Sequence, residues 1–186
     1  CIEVRVTLNE AERMAYAVAE PDQKYRLAAT ADSKTSVIVE LVAKHRGTPT
    51  LVIGQYVDQL EELAARLDAP LITGQTTVRR REQLYEAFRT GEIELLVVSK
   101  VANFSIDLPS AQIAVQVSGA FGSRQEEAQR LGRLLRPKSE GVTARLYAVV
   151  ARDTVDTDFA AHRQRFLAEQ GYGYRIMDAE DALTAE

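Results

Sequence analysis

Hydrophobic residues occur along the chain in two kinds of pattern that follow one another in a regular order. Short apolar runs bounded by turn residues are typical of buried strands, whereas apolar residues three or four positions apart indicate amphipathic helices. Strands are predicted at 50–53, 71–73, 93–99, 113–117 and 144–150. Because strands that alternate with helices at this spacing form parallel sheets covered on both faces, the expected fold class is α/β.

The expected helices are delimited by residues that favour helix ends. In a capping box, a short polar side chain and a Glu three residues later satisfy free backbone N–H groups at the start of a helix. This spacing predicts helices after Thr7 and Asp58, and Ser33 is expected to cap another that runs to about residue 45. Pro21 should end the first helix. Further helices are predicted at 78–88 and 156–169, with Gly91 and Gly171 after them.

These elements divide the chain into three parts. Residues 1–45 are expected to form a helical segment that leads into the main domain. Residues 46–152 are expected to form that domain around the sheet, and 153–186 a C-terminal helix and tail that pack on it. A length of 186 residues with 46% hydrophobic residues is enough for one well-buried domain. The chain begins at Cys1 rather than at Met, so we expect it to be a piece of a longer protein.

Composition and charge exclude several kinds of site. One cysteine cannot form an internal disulfide, and the two histidines add no zinc-binding set, so no metal is expected within this chain. The sequence has no apolar run of membrane-spanning length, and no membrane partner is expected. A net charge of −4 argues against a broad cationic surface, so any contact with nucleic acid must be local. The three arginines at 79–81 form either such a contact or a solvated helix face.

The segment 123–138 carries the strongest chemical signal in the chain. Ser123 and Glu126 form a capping box and Pro137 cannot continue a helix, which predicts a helix of about three to four turns. One face of this helix would carry Gln129, Arg133 and Arg136, roughly opposite an apolar face. Guanidinium groups stay charged and bind phosphate oxygens in pairs, so the helix suits a polyphosphate ligand. The alternative is an ordinary solvated amphipathic helix.

The same segment, in the form Gln-Arg-x-Gly-Arg-x-x-Arg, resembles motif VI of superfamily-two helicases, and residues 100–111 resemble motif V. The order Ser-Lys-Val, then Ser-Ile-Asp-Leu-Pro-x-Ala, then Gly-Ser-Arg-x-Glu-Glu-Ala-Gln-Arg-Leu-Gly-Arg is similar to the XPB family of DNA repair helicases, especially its bacterial members. The resemblance is strongest from about Thr50 to Val150. It implies a RecA-like C-terminal motor lobe of a 3′–5′ DNA helicase that acts in nucleotide excision repair in the bacterial cytosol.

The resemblance also assigns roles to individual residues. It places the groups that act in catalysis at Arg133, Arg136 and Gln129, and those that contact the nucleotide at Asp107, Gly132 and Arg130. It places contacts with DNA at Ser105, Thr73, Gly74, Gln55 and Lys100. At positions 102–104 the chain has Ala-Asn-Phe, where the family usually has Gly-Asp and a small polar residue.

Some of these residues have an alternative role in the local structure. Thr73 and Gly74 are equally typical of an ordinary turn, and Asp107 is also suited to cap the turn before Pro109. Tyr56, which follows Gln55, is expected to pack rather than to bind DNA.

Two motifs that bind and activate ATP are absent from the sequence. A Walker loop needs Gly-Lys followed by Ser or Thr, and a magnesium-binding carboxylate pair needs Asp-Glu, but neither dipeptide occurs. ATP and Mg²⁺ are therefore expected to be bound mainly by an N-terminal helicase lobe of the same polypeptide. This chain alone should not hydrolyse ATP, and Arg133 and Arg136 would reach the γ-phosphate across the cleft between the lobes.

The expected partners follow from this division of labour. They are the N-terminal lobe, DNA as a single strand or a fork, and a repair nuclease. Two other functions stay open at this point. The chain is either a motor lobe of an RNA helicase or remodelling translocase, or a RecA-like module without enzymatic activity that docks a repair nuclease.

Overall fold

The computed structural model describes residues 1–99, 111–119 and 143–185, and these residues form a single parallel β-sheet with helices on both faces. Its strands are β1 (Ile2–Val6), β2 (Thr50–Gly54), β3 (Leu71–Ile72), β4 (Leu95–Ser99), β5 (Ile113–Gln116), β6 (Arg145–Ala151) and β7 (Arg175–Asp178). Their order is β3-β4-β2-β5-β6-β1-β7. Each pair of neighbouring strands is parallel, so the expected α/β class is confirmed.

The sheet is buried on both faces, as parallel sheets are when helices cover them. Because side chains alternate across a strand, one row of paired residues lies on each face. The first, which we call the leucine row, is Leu51, Leu96, Ala114 and Leu146. The second, which we call the valine row, is Val52, Val97, Val115 and Tyr147. All eight are at most 2% exposed, which makes this four-strand centre a rigid base for the loops at its ends.

The described helices are α1 (Glu10–Val18), α2 (Pro21–Ala29), α3 (Asp32–Lys44), α4 (Val57–Leu67), α5 (Val78–Thr90), α6 (Val155–Glu169) and α7 (Ala179–Thr184). Apolar residues of α3 and α4, such as Ile38 and Leu60, pack on the valine row. Tyr85 and Phe88 of α5 pack with Leu167 of α6 on the leucine row. Among the described helices, none combines the length and the apolar character that a membrane span requires.

Three predicted helix starts are wrong in detail. The capping box of α1 is formed by Asn9 and Glu12 rather than by Thr7 and Glu10, with two reciprocal bonds of 2.9 Å. Ser33 lies inside α3 and does not cap it, because its backbone and hydroxyl bond the carboxylate of Glu12. Asp58 does not cap α4, because its carboxylate forms an ion pair with Arg26 of α2.

Two helices, α2 and α7, and two strands, β1 and β7, were not predicted. Pro21 ends the first helix as expected, but it also begins α2, since proline suits the first helical position. The segment 1–45, expected as helical, contributes strand β1, which lies between β6 and β7. The segment 153–186, expected as a helix and tail, contributes strand β7.

Candidate functional site

The carboxyl ends of parallel strands meet at one edge of a sheet, where loops are free to bind ligands. In this sheet β4 lies between β2 and β3, with Gly54 paired to Ser99 and Ile72 paired to Val98. Gln55 follows β2 and Thr73 follows β3. The structure therefore brings two of the predicted DNA-contacting residues to the same edge, on either side of the end of β4.

The first of them, Gln55, is held in place by its backbone. Its N–H group donates a hydrogen bond of 2.6 Å to Oγ of Ser118, which follows β5. The approach depends on Gly54, because a Cβ atom there would lie 2.7 Å from a methyl carbon of Val117 and 2.8 Å from one of Leu60. The side-chain oxygen Oε1 of Gln55 is buried and has no hydrogen-bond partner within the described residues. An acceptor of this kind needs a donor from elsewhere.

The second, Thr73, belongs to a tight polar turn between β3 and α5. Its N–H group donates to Oγ1 of Thr76 at 2.9 Å, and its own Oγ1 accepts from the N–H group of Gln75 at 3.2 Å. Gly74 is exposed at the tip. The turn role considered for these residues is thus observed. A hydroxyl that accepts keeps its hydrogen, so Thr73 can still donate to a phosphate oxygen.

The start of α5 adds positive charge to the same edge. Thr77 caps the helix by accepting the N–H group of Arg80 at 3.3 Å. Arg79 and Arg80 are exposed, whereas Arg81 turns back to the carbonyl oxygen of Thr76 at 3.3 Å. The exposed guanidinium groups of Arg79 and Arg80 lie beside a helix N-terminus and make a local anion-binding surface, although the net charge of the chain is −4.

The end of β5 is fixed from a different direction, by α2 and α6. The hydroxyl of Tyr25, on α2, donates to the carbonyl oxygen of Gly119 at 3.1 Å. The Tyr25 ring meets Phe159 of α6 edge to face, with ring centroids 4.9 Å apart. Burial, followed by the charge of Asp156, raises the pKa of Tyr25 well above its ordinary value of 10.0, so the hydroxyl stays a donor.

Tyr56 packs beside this group, as predicted. Its ring centroid lies 6.3 Å from that of Tyr25, and the guanidinium carbon of Arg26 lies 4.8 Å from it. Burial raises the pKa of Tyr56 above its ordinary value. These contacts occupy the ring as part of the scaffold.

A buried ion pair ties α3 to the start of α6 next to this edge. Nζ of Lys34 lies 2.9 Å from Oδ2 of Asp156, and the two side chains are 0% and 4% exposed. The same oxygen accepts the N–H group of Ala151, the last residue of β6, at 2.9 Å. A buried charge must be paired in this way to be tolerated. The described residues contain no cluster of three or more metal-ligating side chains.

The remaining predicted site residues lie outside the described residues. They are Lys100, Ser105, Asp107, Gln129, Arg130, Gly132, Arg133 and Arg136. The structure describes the residues that immediately precede the two segments, Ser99 at the end of β4 and Gly119 after β5. Tyr25 was not predicted as a site residue, and no role was assigned to Ser118. Only the Ser-Gly pair that follows an apolar strand hinted at a functional turn.

Comparison with known proteins gives a consistent result along the whole chain. Residues 1–186 match the family model described as ERCC3/RAD25/XPB C-terminal helicase. The "DNA 3'-5' helicase XPB" of Kineococcus radiotolerans is 70% identical over 181 residues, which are 97% of this chain and 32% of that protein. The protein of the same name from Mycobacterium tuberculosis is 63% identical, over 98% of this chain and 33% of its own length. The chain thus spans about a third of these relatives.

The fold also resembles solved structures of distant sequence. The C-terminal domain of the DEAD-box protein Dbp5 superposes with a TM-score of 0.68 at 17% identity, over 81% of this chain and 86% of that domain. A structure of S. cerevisiae Dbp5 bound to RNA and ADP BeF3 gives 0.67 at 17% identity, over 97% of this chain and 41% of that one. The expected RecA-like architecture of a helicase C-terminal domain is confirmed.

Proposed function

Because the chain belongs to the ERCC3/RAD25/XPB C-terminal helicase family, we propose that it is the second motor lobe of an ATP-dependent 3′–5′ DNA helicase. The observation that carries the proposal is the family match over all 186 residues. The two relatives named above, DNA helicases by name, match over nearly the whole chain. In this role the lobe binds one DNA strand and completes an ATPase site that an N-terminal lobe begins.

The DNA-binding part of the proposal assigns the strand to the edge formed by the ends of β2, β3 and β4. Gln55, Thr73 and Gly74 meet there, and the sequence continues from Ser99 into Lys100 and Ser105. Hydroxyl and backbone N–H groups of this kind contact phosphate oxygens and position a strand without reading its sequence. The exposed Arg79 and Arg80 supply charge at the same edge.

The nucleotide-binding part assigns this lobe the groups that respond to ATP rather than those that hold it. Neither Gly-Lys nor Asp-Glu occurs in the sequence, so ATP and Mg²⁺ are assigned mainly to the N-terminal lobe. When bound, ATP supplies the phosphoryl group whose transfer drives the cycle. Arg133 and Arg136 contact its γ-phosphate, with Gln129 on the same face, while Asp107, Arg130 and Gly132 adjoin the nucleotide.

Such arginines link nucleotide state to the distance between the lobes. A guanidinium stabilises the charge of the transition state and typically contributes about 10³- to 10⁵-fold in rate. It also binds the γ-phosphate more strongly than the products, so the closed arrangement of the lobes is favoured only while ATP is intact. If both lobes hold the same DNA strand, repeated closure and opening moves the grip along it.

The proposal is tested by mixing the purified chain with a purified N-terminal lobe and measuring ATP hydrolysis with and without single-stranded DNA. We expect DNA-stimulated hydrolysis from the mixture and none from either lobe alone. We also expect this chain alone to bind ATP no more tightly than the millimolar range. Micromolar affinity of the isolated chain for ATP, abolished by Arg133→Ala, would contradict the composite site.

A further inference from the structure

The residues that follow β5, up to Gly119, are the last described residues before the segment 123–138, which we call the arginine-bearing segment. Gly119 precedes Ser123, the predicted helix cap, by only four residues. Its carbonyl oxygen accepts the 3.1 Å hydrogen bond from Tyr25, whose side chain is almost fully buried. The contact joins residues 94 positions apart in sequence, so it ties the backbone just after β5 to α2.

The backbone at Gly119 comes so close to Tyr25 that a side chain does not fit. A Cβ atom there would lie 2.6 Å from the hydroxyl oxygen of Tyr25 and 3.3 Å from Nη2 of Arg163 on α6. Carbon and oxygen atoms do not approach to 2.6 Å without a shift of one of them. The absence of a side chain at Gly119 is thus what permits the hydrogen bond.

The neighbouring residue, Ser118, contacts the loop that is proposed to bind DNA. Ser118 accepts the 2.6 Å hydrogen bond from the N–H group of Gln55. Ser118 and Gly119, which follow β5, are therefore held by Tyr25 on one side and joined to the loop of Gln55 on the other. They lie between the loop to which the proposed function assigns DNA and the segment to which it assigns the nucleotide.

We propose that Tyr25 is a positioning residue for the arginine-bearing segment, because it fixes the carbonyl group of Gly119, the last described residue before that segment. This inference rests on the proposed function, because a position matters for turnover only if Arg133 and Arg136 meet the γ-phosphate. The transfer of a phosphoryl group is sensitive to displacement of its partners by an ångström or less. A tyrosine hydroxyl on a packed ring supplies a fixed donor, whereas water in its place would let the turn shift.

The test uses Tyr25→Phe in the full-length helicase, with Tyr174→Phe as the matched control. Both changes remove one hydroxyl group that donates a hydrogen bond. The hydroxyl of Tyr174, just before β7, donates to the carboxylate of Glu3 at 2.6 Å. We expect Tyr25→Phe to lower the kcat of DNA-stimulated ATP hydrolysis by roughly two- to ten-fold, the range that corresponds to one net hydrogen bond. KM for ATP and the Kd for single-stranded DNA should each change by less than about two-fold, because no binding contact is removed.

Both substitutions should lower the melting temperature of the protein by a similar amount. Tyr174→Phe should leave kcat unchanged. An unchanged kcat in Tyr25→Phe overturns the inference. An equal loss of kcat in the two variants does so as well, because it would show that the loss follows stability rather than position.

A double substitution probes the contact itself. Gly119→Ala should lower kcat in the native background, because the new methyl group meets the Tyr25 hydroxyl. In Tyr25→Phe that oxygen is gone, so adding Gly119→Ala should cost less there than it does alone. Such non-additivity is expected of residues in contact. Strictly additive losses would overturn the inference.

Arg133→Lys separates the two proposals. If it abolishes most of the turnover while Tyr25→Phe has no effect, only the positioning role is rejected. If Arg133→Lys itself turns over normally, the role assigned to Arg133 at the γ-phosphate is rejected whatever Tyr25→Phe shows.

Discussion

Single residues of the segment 123–138 differ in what their charge is expected to do. Arg133→Lys keeps the positive charge and a good helix former, so the free energy of unfolding should change little. Lysine lacks the planar fork that fits a phosphate, so DNA-stimulated turnover of the full-length helicase should fall at least about ten-fold. Steady-state ATPase assays measure the change. Arg124→Lys, which the helix predicted from the sequence would place in its first turn on another face, is the control and should be nearly neutral.

The pair of Lys34 and Asp156 is a residue-scale feature whose value lies in stability. Asp156→Ala leaves an unpaired ammonium group in the interior, which typically costs about 3–5 kcal/mol. Urea unfolding of the chain measures the free energy. Glu169→Ala breaks the exposed pair of Arg165 and Glu169, which is 3.1 Å long, and should cost less than about 1 kcal/mol. Equal losses in the two variants would show that burial adds nothing to the pair.

At the scale of elements, the start of α1 depends on the ionisation of one carboxylate. Burial by itself raises the pKa of Glu12, but hydrogen bonds from the side chain and backbone of Ser33 and from the backbone of Asn9 and Asp32 outweigh it. The net pKa lies below the ordinary 4.5. A lowered pKa in the folded state means that the ionised form stabilises the fold above pH 4.5, and that this stabilisation is lost as the pH falls through the lowered value.

Glu12→Gln should therefore lower the free energy of unfolding more at pH 7 than at pH 3, because pH 3 lies below the ordinary pKa of 4.5, where protonation of the unfolded chain already reduces the stabilisation by the ionised form. Chemical denaturation at the two pH values measures this difference. Glu10→Gln, in the same helical turn but outside the capping box, is the control. A pH-independent effect of Glu12→Gln would show that charge is unimportant at this cap.

The turn between β3 and α5 is the element on which the DNA interface depends most. In the full-length helicase, Thr73→Ala combined with Ser105→Ala should weaken binding of single-stranded DNA and leave the affinity for ATP nearly unchanged, since phosphate contacts position the strand away from the nucleotide. Fluorescence anisotropy over a range of salt concentrations measures the affinity. Thr90→Ala, at the far end of α5, is the control. Unaltered DNA affinity in the double variant would leave Thr73 as a turn residue only.

The same elements show what local sequence determines. Apolar runs placed β2 to β6 correctly within one or two residues, because a buried strand depends mainly on its own hydrophobic residues. Helix starts were harder. Thr7 and Asn9 both stand three residues before a Glu, and the choice of Asn9 is made by Ser33, which bonds Glu12 from α3. That contact is invisible to a search for local spacing.

Tertiary contacts also explain why part of the site was missed. Gln55 and Thr73 were predicted from the resemblance, and each also follows a predicted strand, so parallel pairing brings the two positions to one edge of the sheet. Tyr25 lies on a helix that was not predicted, and its role depends on Gly119, 94 positions away. No spacing rule connects the two residues.

At the scale of the whole molecule, the three expected parts share one sheet. Strand β1 pairs with β6 and β7, so the first and last segments cover the side of the sheet that the middle segment would leave open. Glu3 illustrates the dependence: it is 1% exposed on β1 and bonds both Arg5 and Tyr174. Its burial requires residues from both ends of the chain.

A fragment of residues 46–152 should therefore fail to fold cooperatively. It lacks β1, β7, α3 and α6, which leaves the edge of β6 unpaired and exposes the apolar rows that Ile38, Leu41 and Leu167 cover. Circular dichroism during urea titration should show a sharp transition for the full chain and a broad or absent one for the fragment. Removal of only residues 179–186 is the control, because it keeps all seven strands and should lower the midpoint while preserving the sharp transition. A sharp transition of the fragment at the midpoint of the full chain would show that the terminal segments pack on a domain that is stable without them.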